Sequence, residues 1–198
     1  MGREMIEAAN ADDHATPLTT DERDELIPTH ITTRGELNRL EQQNIATADI
    51  WVLGRKHYIF RERFLKSLHQ RMFNRVWRWA GKFRTTERNL GVKSYLIETD
   101  LRTAIDDARF WIENKSYSPD ELAVRFHHRL VSVHPFPNGN GRWSRLVADA
   151  LITQLGGGRF TWGGADLSPA GEARDKYIAA LKAADNHDLE PLSKFARS

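Results

Sequence analysis

The chain has 198 residues, 40% of them apolar with six tryptophans, and 29 Lys and Arg against 27 Asp and Glu. That is long enough to bury a core and too apolar for a disordered chain. The absence of cysteine excludes a disulfide framework and thiolate chemistry, and a net charge of +2 is too small by itself to argue for nucleic acid. No apolar run approaches the roughly 20 residues that a membrane span requires, and the N-terminus lacks the apolar core of a signal peptide. A soluble cytoplasmic protein is the expectation.

Residues 1–29 are polar and rich in Asp and Glu, carry Pro17 and Pro28, and show no sustained period. They read as a mobile acidic arm with at most one short helical turn. Thr32 or Thr33 can cap a first helix, with Glu36 at the capping-box position relative to Thr33 and Leu37, Leu40, Ile45, Ala48 and Trp51 at helical spacing. A second helix carries Phe60, Phe64, Leu68, Phe73, Val76, Trp77 and Ala80 as one stripe and stops at Gly81. Basic residues crowd this third of the chain, from Arg55 to Lys93. A solvated helix face is the favoured reading, over a surface for an acidic protein partner or nucleic acid.

Residues 82–98 change character. Phe83, Val92, Tyr95, Leu96 and Ile97 are strand-like around the turn residues Asn89 to Gly91, which predicts a small β-hairpin. Helix resumes over 100–114. Ser118-Pro119-Asp120-Glu121 then supplies an N-cap, a first-turn proline and a capping glutamate for a helix with Leu122, Phe126, Leu130 and Val133 buried. His127 and His128 on that helix are adjacent, so their side chains diverge, and nothing completes a zinc set. A further helix follows to the glycines at 156–158; Ser168-Pro169 opens another, and 189–195 a short last one. The sum is an all-α, mainly helical bundle with one hairpin.

Between two of these helices lies HPFPNGNGRWSR, residues 134–145. Gly139 and Gly141 allow positive φ and close backbone approach, so that successive N–H groups of Gly139, Asn140 and Gly141 can converge on an anion. The helix starting there adds its positive end. Arg142 and Arg145 share a face at i and i+3 and can each grip phosphate oxygens. His134, with an ordinary pKa near 6.5, is a candidate general base. Asn140 can also cap the following helix.

This stretch resembles the Fic/Doc signature HPFx[D/E]GNGRxxR. His134, Pro135, Phe136, Gly139, Asn140, Gly141, Arg142 and Arg145 match in order and spacing, and Asn138 departs where an acid is usual. The branch called mobile mystery protein B is the nearer likeness, over roughly residue 30 to the end. The resemblance implies a Fic domain over 30–198, with residues 82–98 as a flap docking a protein target over the site. It implies an adenylyltransferase that moves AMP from ATP to a Ser, Thr or Tyr hydroxyl. His134 would be the base, Gly139, Asn140, Gly141, Arg142 and Arg145 would hold phosphate, and Mg²⁺ would reach at best a neutral ligand in Asn138. It further implies restraint by a glutamate paired with Arg145, for which Glu36 is the internal match, or by a separate inhibitor protein; a small helix-turn-helix protein is the partner that the branch suggests. Two alternatives stay open: transfer of another nucleotide or phosphate, or AMP removal; and a catalytically silent nucleotide- or partner-binding module.

Overall fold

A computed structural model describes residues 20–31, 33–164, 167 and 171–198. Residues 1–19 of the expected arm, Thr32 as a cap and the Ser168-Pro169 start signal lie outside the described residues. The helices are α1 (Thr20–Asp24), α2 (Arg34–Leu53), α3 (Glu62–Phe73), α4 (Ile97–Glu113), α5 (Pro119–Val133), α6 (Asn140–Gln154), α7 (Glu172–Asp185) and α8 (Glu190–Arg197). Helices α5 and α6 pack against each other at the centre; α2 and α3 pair on one side, and α7 and α8 on another. Trp143, Phe73, Phe126 and Phe136 are the largest fully buried side chains of the core. The Trp143 indole N–H donates to the Leu65 carbonyl at 3.0 Å and joins α6 to α3. None of the described helices is long and apolar enough to cross a membrane.

Local signals set the helix starts. Thr33 and Glu36 form a reciprocal capping box at the start of α2, and Ser118 caps α5 through the Glu121 N–H, with Pro119 in the first turn. Within the expected arm, residues 20–24 form α1, and Leu26 forms an antiparallel bridge with Trp77.

Two expectations are corrected. Helix α3 ends at Phe73 rather than at Gly81, because Asn44 of α2 caps it from outside. The Asn44 amide donates to the Arg71 carbonyl at 2.7 Å and accepts from the Arg75 N–H at 2.9 Å. The chain then turns, and Val76, Trp77, Trp79 and Ala80 remain buried outside any helix. The hairpin over 82–98 does not form: among the described residues that segment contains no strand, and its last residues enter a 3₁₀ turn (Ser94–Leu96) and α4. The reason is Arg84, only 2% exposed. Its guanidinium donates to the carbonyls of Thr86 and Val92 and, at 2.8 Å, of His134. One buried cation thus takes the acceptors that a strand ladder would have used, and it ties both limbs of the loop to the end of α5.

Asn44→Ala removes both external bonds at the end of α3. Chemical unfolding should show a loss of about 1–3 kcal/mol, the cost of leaving buried backbone groups unsatisfied. An unchanged midpoint would mean that α3 terminates without Asn44.

Candidate functional site

Helix α5 stops because His134 adopts left-handed backbone angles, φ 52° and ψ 58°, with its N–H still bonded to the Leu130 carbonyl. A non-glycine residue there costs about 1–2 kcal/mol, which the Arg84 bond to the His134 carbonyl helps offset. Gly91 of the overlying loop lies directly against His134; a Cβ at Gly91 would sit 2.4 Å from the His134 Cβ. The imidazole is buried as a result. Burial, with Arg84 and then Arg88 nearby, lowers its pKa to about 4 against the pull of a bond to the Val131 backbone. His134 is therefore neutral at pH 7 and able to accept a proton.

The turn after it is braced from beneath. Phe136 is fully buried and stacks on His69 with ring centroids 3.6 Å apart. Gly81 N–H donates to His69 Nδ1 at 3.0 Å, which puts the ring proton on Nε2, and Nε2–H donates to the Asn138 carbonyl at 3.1 Å. Burial holds the pKa of His69 at about 3, so this neutral tautomer persists. The Asn140 side chain, expected at the phosphate, is used internally: it accepts from Phe136 N–H at 2.9 Å and donates to the Phe136 carbonyl at 2.8 Å. Only its backbone is left for a ligand.

Gly139 has φ 78°, and a Cβ there would meet the Phe73 ring at 2.5 Å, so this position requires glycine on both counts. Gly141 lies inside the first turn of α6 and needs no positive φ; the sequence expectation is corrected there. A Cβ at Gly141 would project toward Arg145 Nη1 at 3.7 Å and Tyr177 Oη at 3.8 Å. Its missing side chain keeps a cradle open at the N-terminus of α6, where no side chain caps the helix.

The two arginines differ. Arg142 is paired with Glu41 of α2 at 2.6 Å, and Glu41 also accepts the Trp77 indole N–H at 2.6 Å. Arg145 meets no carboxylate among the described residues; its guanidinium lies 5.2 Å over the Tyr177 ring. Glu36, the expected restraining carboxylate, accepts the Thr33 N–H at 3.1 Å within the capping box. The glutamate that touches a motif arginine is thus Glu41, and the arginine is the first of the two. Glu41, Asn44, His69 and Arg84 did not enter the sequence reading as site residues. The signal for the first three was a polar residue inside an apolar helical stripe.

Asn138 offers a poor magnesium site by itself. Its amide oxygen is neutral and already accepts the Gly139 N–H, and no cluster of three His, Cys, Asp or Glu is present among the described residues. His127 is buried against Tyr177, whereas His128 pairs with Asp185 at 2.8 Å, as their divergent directions require.

Residues 59–152 match the Fic/DOC family. The chain is 31% identical over 119 residues to the protein adenylyltransferase fic-1 of Caenorhabditis briggsae, covering 59% of this chain and 22% of that protein. It thus spans about a fifth of that relative's length. Its fold is similar to the N-terminal Fic domain of a VirB-translocated Bep effector from Bartonella quintana, with TM-score 0.67, 18% identity, and 89% of this chain and 91% of the other covered. It is also similar to BepC of Bartonella tribocorum with bound AMPPNP, with TM-score 0.66, 18% identity, and 90% and 97% covered.

Three buried histidines make the fold acid-sensitive. His69 and His127 are held at about 3 and His134 at about 4, all below the unfolded value of 6.5. The unfolded chain therefore binds more protons below pH 6.5, and stability falls as pH falls from there toward 4. Each histidine contributes about 1.4 kcal/mol per pH unit to that slope. Urea unfolding between pH 7.5 and 4.5 measures it; a flat profile would mean that these rings ionise in place.

Proposed function

We propose that this chain, whose residues 59–152 match the Fic/DOC family, is a protein adenylyltransferase that moves AMP from ATP to a hydroxyl of a protein target. The observation that carries the reading is the neutral, buried His134 set shortly before an uncapped helix N-terminus and Arg145, which meets no carboxylate among the described residues. The adenylyltransferase activity for which the Caenorhabditis briggsae relative is named and the AMPPNP bound to a structural neighbour support the same chemistry.

In this reading the first-turn N–H groups of α6 hold the phosphate chain, and the cradle at Gly141 admits it against Arg145. His134 accepts the proton of a Ser, Thr or Tyr hydroxyl as that oxygen bonds to the α-phosphorus. The bond from the α-phosphorus to the bridging oxygen breaks, and pyrophosphate leaves with its charge balanced by Arg145. Magnesium, when bound, would neutralise phosphate charge; it would arrive with the nucleotide, since Asn138 supplies no more than one neutral oxygen. The Arg84-pinned loop packed on His134 is where a target segment would approach. Glu41 is the restraint. Its carboxylate occupies the guanidinium of Arg142, which would otherwise meet phosphate, and a half-buried ion pair of this kind competes directly with an anionic ligand.

Two measurements test these roles with ATP labelled at the α-phosphate. His134→Ala should lose about 10²–10⁴-fold in transfer while ATP affinity holds, because the phosphate cradle is untouched. Transfer at the wild-type rate would remove His134 from the mechanism. Glu41→Gln keeps an acceptor for Trp77 but removes the charge, and should tighten ATP binding by roughly tenfold, a 1.4 kcal/mol effect. If affinity stays the same, Glu41 serves only to hold α2 on α6.

A further inference from the structure

We propose that Tyr177 and His127 form a neutral orienting pair that aims Arg145 at the terminal phosphates of the nucleotide, which makes Tyr177 a positioning residue that sets the preference for ATP over AMP. The proposal rests on the reading of Arg145 as a phosphate ligand.

Tyr177 stands on α7, beyond the segment matched by the family. It is 6% exposed, and its hydroxyl lies 3.1 Å from His127 Nε2 on α5. Arg145 packs over the same ring and bonds to its hydroxyl, and its Nη1 and the Tyr177 hydroxyl both border Gly141, 3.7 and 3.8 Å from where a Cβ would be. The pair is held from behind: Trp162 packs on His127 with centroids 4.7 Å apart, and Phe195 of α8 on Tyr177 at 5.7 Å. Neither ring can swing away without opening the C-terminal packing.

The polarity of the arrangement follows from its donors. A guanidinium can only donate, so the Tyr177 oxygen accepts on the Arg145 side. Its own proton then goes to Nε2 of His127, which burial and the Arg145 charge keep neutral and therefore an acceptor. Burial raises the pKa of the tyrosine, so the phenol stays protonated. The contrast with Arg142 gives the pair its use. Glu41 orients Arg142 but cancels its charge, whereas a phenol orients Arg145 through a lone pair and leaves the whole positive charge for phosphate. AMP has no β or γ phosphate and would gain nothing from this.

Calorimetric titration of the full chain with ATP and with AMP tests the idea through the ratio of the two affinities. That ratio does not change if a variant merely lowers the folded fraction. Tyr177→Phe keeps the ring and loses the hydroxyl; it should lower the ATP-to-AMP ratio about tenfold, with AMP affinity within about twofold of wild type. His127→Leu, which removes the acceptor, should do the same, and His127→Gln, which restores one, should recover most of the ratio. Should Tyr177→Phe not fold, the two His127 variants still decide the matter. An unchanged ratio in Tyr177→Phe, or equal ratios in the two His127 variants, would overturn the positioning role. Arg145→Ala separates this from failure of the site reading. It should collapse the ratio by itself, and Tyr177→Phe should then add nothing. If Arg145→Ala leaves the ratio at the wild-type value, Arg145 is not a phosphate ligand and the proposal falls with that reading; additive effects overturn the positioning role alone.

Discussion

A single side chain closes the turn between α5 and α6. Asn140 bonds both polar groups of the Phe136 backbone, at 2.9 and 2.8 Å, from a position that is itself 2% exposed. Under the proposed function the turn offers its N–H groups to a ligand and cannot also use them for its own stability, so the bracing comes from side chains buried below it. Asn140 supplies one such brace. His69 supplies another through the Asn138 carbonyl, and the Phe136 ring, stacked on His69, fills the space between. The outward face of the turn is then available to a ligand, and its inward face is core.

The same economy shapes the electrostatics. Three buried imidazoles are driven neutral by burial, yet each is placed differently: His69 is a donor to the loop, His127 lies against the Tyr177 hydroxyl, and His134 sits under the loop at the end of α5. Keeping them uncharged avoids stacking positive charge beside Arg84, Arg142 and Arg145. Arg84 is buried at the cost of desolvation, and it is accommodated because backbone carbonyls of two loop limbs and of His134 surround its guanidinium. The loop over the site is consequently organised around a charge rather than a strand ladder.

Tryptophans and aromatics did much to make the fold legible beforehand. The stripe of α5 coincides with a buried face, that of α2 packs half-buried against the core, and the capping box at Thr33 and the Ser118-Pro119 start stand where local chemistry put them. The reading of α3 failed at its C-terminus for a definite reason. Val76, Trp77 and Ala80 are buried at helical spacing, but Asn44, 31 residues away in sequence from Arg75, stops the helix. Hydrophobic spacing reports which residues are inside, and it does not report how the backbone between them is satisfied.

Sequence alone determined the helical class, the caps, the place of the turn and the eight motif residues at it, because each depends on interactions within a few residues. Tertiary structure decided their employment. Glu41 and Arg142 are 101 residues apart, Tyr177 and His127 are 50 apart, and Arg84 and His134 are 50 apart. Which arginine is neutralised, which is left charged, and whether an asparagine faces ligand or loop depend on hydrogen bonds made only when separate helices pack within about 3 Å of one another's polar groups. Spacing along the chain carries no record of that approach.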